Sequence, residues 1–176
     1  LGLAVALRLP VLAPIGLMCG LSLECVWHAH HFSATAAAVP VLWNAGFTAL
    51  FLGFPFLFRH TFANTVSPWA TAALAGPLHF FLIHDVVRRG YPNAFMGLLP
   101  AVFAIPMLAA VAIVAREWLK EAPHRTTVLA WFGGSALFFI TLIFPIQFEK
   151  QWITVGWALE GVALLWLFGR LPHPGL

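Results

Sequence analysis

Long apolar runs separated by short polar clusters organise this chain. The runs are Leu9–Trp27, Ala34–Phe58, Pro68–His84, Leu98–Ala115, Val128–Ile146 and Trp152–Gly169. A helix that crosses a bilayer needs about 20 mostly apolar residues, because no backbone N–H or C=O can go unpaired in hydrocarbon. Ala34–Phe58 runs for 25 residues without a charge; the sixth run is interrupted by Glu160. Turn chemistry fills the joints: Arg59-His60 to Ser67-Pro68, Arg88 to Asn93, Arg116 to Thr127, and Gln147 to Gln151. These joints are short, so consecutive helices are expected as antiparallel neighbours. The pattern predicts an all-α polytopic membrane helix bundle with six transmembrane helices in a single region, residues 1–176.

Composition removes the alternatives. Hydrophobic residues make up 61% of the chain and charged residues 9%, with a mean hydropathy of +0.91. Soluble domains carry about 25% charged residues, which a water-facing surface requires. Disordered chains are apolar-poor, so disorder is excluded too. The expected partners are the lipid bilayer and the other helices of a longer protein. The net charge of +3 is small, and no basic run interleaved with aromatics lies outside the apolar spans, which argues against nucleic acid. Cys19 and Cys25 lie six residues apart. On a helix that is about 9 Å, too far for a disulfide, so both read as small core residues. The apolar stretch from Leu1 to Leu7 stops at Arg8 without a basic segment before it. It reads as the end of an earlier span rather than a signal peptide, and the chain as a fragment of a longer one.

Prolines at 14, 55, 77, 100, 106 and 145 lie in or near the spans and predict kinks. Trp27, Trp69, Trp131 and Trp152 fall near span ends, as an interfacial belt would place them. Trp43, Trp157 and Trp166 read as packing aromatics.

Basic residues set the orientation. One side carries Arg8, Arg59, Arg116, Lys120, Arg125 and Arg170; the other carries Arg88, Arg89 and Lys150. The richer side is assigned to the cytoplasm, which puts both ends of the six-span segment inside. A cysteine placed at Ser33 should therefore react with a membrane-impermeant thiol reagent in intact cells. Labelling only after lysis would reverse the orientation.

An internal similarity divides the chain in two. Val41–Phe51 aligns with Val128–Phe138 at six of eleven positions. A Phe-Pro follows each block, then a Trp-Ala. The expectation is a weak three-plus-three repeat, an arrangement that inverts topology between its halves.

Polar residues inside the spans carry the candidate chemistry, because an ionisable group at mid-membrane costs about 2.5–3.5 kcal/mol on insertion scales. Glu160 lies mid-span between Gly156 and Gly161, whose small size would admit a neighbouring helix. It reads as a carboxylate facing a cavity or as an interhelical contact. Glu24, His28 and His31 fall at helical spacing, with His30 beside them, in an outer-loop cluster. Two imidazoles and a carboxylate could hold a divalent ion, but a fourth ligand is not identifiable, so no metal is assigned. Asp85 precedes Arg88 by three residues and Arg89 by four, a local ion-pair pattern at the membrane edge. His79 lies deeper and is a candidate partner for Glu160; without a second histidine at its depth it does not suggest haem. Asn44 reads as an interhelical hydrogen bond, and Gly133-Gly134-Ser135 as a close-packing site. Glu117, Lys120 and Glu121 read as a solvated face. No cofactor and no catalytic residue is implied.

Three blocks carry a family resemblance: Ser22 to Phe32, Phe54 to Arg59, and Gln151 to Leu167. The last contains Trp152-x-Thr154-x-x-Trp157-Ala158-Leu159-Glu160-Gly161 and is the most specific. With these blocks the chain resembles a family of large bacterial multi-spanning proteins known only as predicted membrane proteins with a domain of unknown function. The resemblance implies a bacterial inner-membrane location and no established activity. The leading functional expectation is an envelope scaffold or assembly component. A transporter or channel with Glu160, His79 and Glu24 as pathway residues is the first alternative. A membrane-embedded transferase acting on lipid-linked substrates through the His28–His31 loop is the second.

Overall fold

A computed structural model describes residues 1–118, 124–147 and 153–170. Those residues are helical, with no strand among them. In chain order the α-helices are α1 (Gly2–Ala6), α2 (Leu12–His31), α3 (Ala38–Leu57), α4 (Arg59–Phe62), α5 (Ser67–Gly90), α6 (Leu98–Ile113), α7 (Arg125–Gln147) and α8 (Ile153–Arg170). Among the described residues, five helices are long and apolar enough to span a membrane: α2, α3, α5, α7, and α6 with its extension to Arg116. The architecture is that of an all-α polytopic membrane protein. The sixth expected span begins at Trp152, outside the described residues, and continues as α8.

Local chemistry moves several boundaries. The third span was expected to stop at His84, yet α5 continues to Gly90 over 24 residues. Asp85 binds Arg88 at 3.3 Å and Arg89 at 3.0 Å, one turn ahead on the same helix, and such pairs support another turn. The second span opens with a turn of 3-10 helix, Ala34–Ala36, before α3 begins. A π-helical segment, Val114–Trp118, follows α6. Arg125 donates from Nη2 to the Ala115 carbonyl at 2.7 Å at this helix end. Pro55, Pro77, Pro106 and Pro145 sit inside helices.

Contacts group the chain into two units, Leu1–Ala94 and Phe95–Leu176, each with three long helices. In the first unit α5 is the hub. It packs against both α2 and α3, which touch each other only slightly. Its buried face is rich in small residues, Thr71, Ala72, Ala73, Ala75 and Gly76, which admit close helix approach. Leu17 of α2, Phe51 of α3 and Ala75 of α5 share one core cluster. Ala4, Ala13, Phe54 and Phe62 form another. In the second unit the hub is α7, packed against α6 and α8. Phe103 meets Phe139 at 5.2 Å there, and Gln147 accepts the Gly97 N–H at 2.9 Å. The division thus falls between the third and fourth long helices, but the hub is the third helix of one unit and the second of the other.

Side-chain placement corrects part of the expected core. Trp69 is 0% exposed, so it is a core residue rather than part of an interfacial belt. Its neighbourhood explains this: Nε1 donates to the Phe62 carbonyl at 3.0 Å, and the ring meets Phe56 edge-on at 5.1 Å. Trp43, Trp157 and Trp166 are 63%, 70% and 63% exposed and face outward instead of packing. Cys19 and Cys25 are free and exposed, not core. Gly133 lies against Leu167 of α8, but an added Cβ at Gly134 or Gly161 would meet nothing within 4 Å. The close-packing expectation therefore fails at those two glycines. The surroundings of Gly156 and Glu117, and all of Lys120 and Glu121, lie outside the described residues.

Candidate functional site

The first unit gathers its ionisable residues along the α2–α5 interface. Glu24 and His28 occupy one face of α2, four residues apart; His79 and Asp85 are both on α5. The pairs across the interface are Glu24 with His79 and His28 with Asp85. Residue numbers rise together in these pairs, so α2 and α5 run parallel while α3 returns between them. A pairing across 55 or more residues carries no signal in local spacing.

The outer pair is a hydrogen bond. His28 Nε2 donates to Asp85 Oδ2 at 2.9 Å, and the same carboxylate takes Arg88 and Arg89. The ion pair expected within α5 is therefore joined by a residue from α2. Arg89 also lies over the Phe32 ring at 5.8 Å, and His28 stacks beside Phe32 at 4.7 Å.

The inner pair is buried. His79 is 0% exposed and Glu24 8%. His79 Nε2 lies 3.2 Å from Glu24 Oε2, at angles outside hydrogen-bond geometry. The other ring nitrogen is fixed: Nδ1 lies 2.7 Å from the Ala75 carbonyl, which can only accept, so Nδ1 carries a proton. In a neutral ring Nε2 is then a lone pair beside Glu24. An ionised carboxylate that close to it is unfavourable in a buried site, and a proton on either group relieves the contact. Phe51 of α3 closes the site, its ring 6.4 Å from that of His79.

Beside Glu24 a groove of about 640 Å³ opens between α2 and α3. Its walls include Leu23, Val26, Trp27, Val39, Trp43 and Phe47; its polar members include Glu24, His28 and Asn44. It exists because both helices pack on α5 and barely on each other. Asn44 is buried, but its Oδ1 has no hydrogen-bond partner. Its backbone carbonyl accepts from Thr48 at 2.8 Å.

Other candidates do not converge on this pair. Glu24, His28 and His31 share a helix, but Glu24 and His28 turn to different partners on α5. His31 stacks on Trp27 at 5.9 Å, and His30 sits edge-on to His31. Among the described residues, no three His, Cys, Asp or Glu side chains are grouped to hold a metal. The carboxylate beside His79 within the first unit is Glu24. Glu160 is half-buried on α8, among outward-facing Trp157, Leu159 and Val162.

The family described as "Predicted membrane protein (DUF2339)" matches residues 1–173. Comparison with curated proteins and with solved structures finds no match.

Proposed function

Because the chain belongs to this family of predicted membrane proteins, we propose that it is a multi-pass transport protein of the bacterial inner membrane that binds a proton at Glu24 and His79. One observation carries the reading: a carboxylate 3.2 Å from an imidazole whose other nitrogen is held by the Ala75 carbonyl. Buried ionisable residues in membrane helices are costly and mark proton and ion pathways. Removing the shared proton leaves a net negative charge in the helix interface, which a cation or another proton must replace. That exchange is the elementary step of a proton-linked carrier. A scaffold accounts for the helices and gives the pair only a packing role.

The test is proton entry into vesicles. Full-length protein is reconstituted with a pH-sensitive dye inside, and an acid pulse is applied outside. Protein-containing vesicles should acidify faster than protein-free ones. Glu24→Gln should slow entry at least about tenfold with helix content unchanged, because an amide fills the same space and cannot exchange the proton. Equal rates in the native protein and the variant would overturn the proposal and favour the scaffold.

A further inference from the structure

The groove beside Glu24 has a definite polarity. Glu24 Oε1, Asn44 Oδ1 and His28 Nδ1 are buried without hydrogen-bond partners among the described residues, and all three residues line the groove. With its Nε2 proton given to Asp85, a neutral His28 presents Nδ1 as a lone pair. Glu24 Oε1 and Asn44 Oδ1 are acceptors, and Nδ1 joins them in that form. No lysine or arginine lines the groove. Apart from His31 its remaining walls are apolar, and two indoles, Trp27 and Trp43, flank it. A buried acceptor without a donor is costly. An occupant that relieves these must bring N–H donors and positive charge on an apolar body.

We propose that the groove binds a single-chain amphipathic amine, with its ammonium at Glu24 and Asn44 and its chain along Trp27 and Trp43. The volume of about 640 Å³ suits such a ligand, and the indole faces attract a cation. An aminophospholipid does not fit as well. Its phosphate would bring negative charge beside Glu24, with no lysine or arginine in the lining and only the imidazoles of His28 and His31 to offset it. The inference rests on the carrier reading of the Glu24–His79 pair, and it supplies the substrate class for the proposed carrier. The ammonium would take the place of the proton held by Glu24 and His79, conserving charge in the interface.

Binding is read without transport. Full-length protein in phosphatidylcholine nanodiscs is titrated with dodecylamine carrying bromine at its far end. The signal is tryptophan quenching, taken as the difference between the native protein and a W27F/W43F variant. The expected result is saturable quenching, with Glu24→Gln raising the Kd about tenfold or more. Val39→Phe, which fills the groove from its exposed wall, should abolish saturation. Equal quenching by the matching bromo-fatty acid would overturn the proposal, as would unchanged affinity in Glu24→Gln. Equal quenching by a brominated phosphatidylethanolamine would overturn the assignment to a free amine. Loss of amine binding with Glu24-dependent proton entry intact sinks this inference alone. Amine binding with no proton entry sinks the carrier reading alone.

Discussion

Trp69→Ala is expected to destabilise the first unit by about 3–5 kcal/mol, the range for losing a fully buried large aromatic. The indole is 0% exposed. Its removal opens a cavity beside Phe56 and takes away the donor that reaches the Phe62 carbonyl at 3.0 Å. Phe62 is itself buried and packs on Phe54 at 5.3 Å, so the loss reaches the cluster that also holds Ala4 and Ala13. Trp69→Phe keeps most of the volume and removes the N–H, so its cost should be smaller, about 1–3 kcal/mol. Reversible unfolding in mixed micelles measures both. A cost below about 1 kcal/mol for the alanine variant would return Trp69 to the interfacial belt that its place near a span end suggests.

Gly90→Ala should lower stability by about 1–3 kcal/mol. The sign is informative, because in an unconstrained helix the same change gains about 1 kcal/mol. A Cβ on Gly90 would overlap the Ala37 Cβ and lie 3.6 Å from the Ala34 carbonyl oxygen. No flexible side-chain end is there to move aside. The end of α5 is thus pressed against the short 3-10 turn that leads into α3. Pairing Gly90→Ala with Ala37→Gly should recover most of the loss in a double-mutant cycle. A raised melting temperature in the single variant would show that the close approach is wrong.

Much of the fold was legible because the bilayer imposes a length. Uninterrupted apolar runs near 20 residues leave helices as the available solution, and each run does contain one. The ends were less legible. The apolar run stops at His84, but the pairing of Asp85 with Arg88 and Arg89, legible in their spacing, carries the helix on to Gly90. For the site, sequence singled out Glu24, His28, His79 and Asn44 as polar residues needing an explanation. It could not say which belonged together. Spacing along α2 groups Glu24 with His28 and His31, whereas the partners of the first two stand on α5. Those pairings depend on α2 and α5 running parallel with α3 between them, and no local pattern encodes that. The same gap hid Trp69: position near a span end says nothing of which way a side chain turns.

The hub position of α5 also sets an order of assembly during synthesis. When α2 and α3 leave the ribosome they have almost no surface for each other, and the helix that joins them has not been made. Glu24 then enters the lipid before His79 exists. A lone ionised carboxylate would meet an insertion penalty of about 2.5–3.5 kcal/mol if it costs as much as aspartate, and its partner imidazole has not yet been made. The first unit can close only when α5 arrives and slides its small-residue face beneath both waiting helices. In the second unit the first two long helices are already partners, and α6 with α7 can pair as a hairpin at once. Truncation after α3 should therefore leave two unassociated spans exposed to quality-control proteases, whereas a chain ending after α5 contains every helix that the first unit needs.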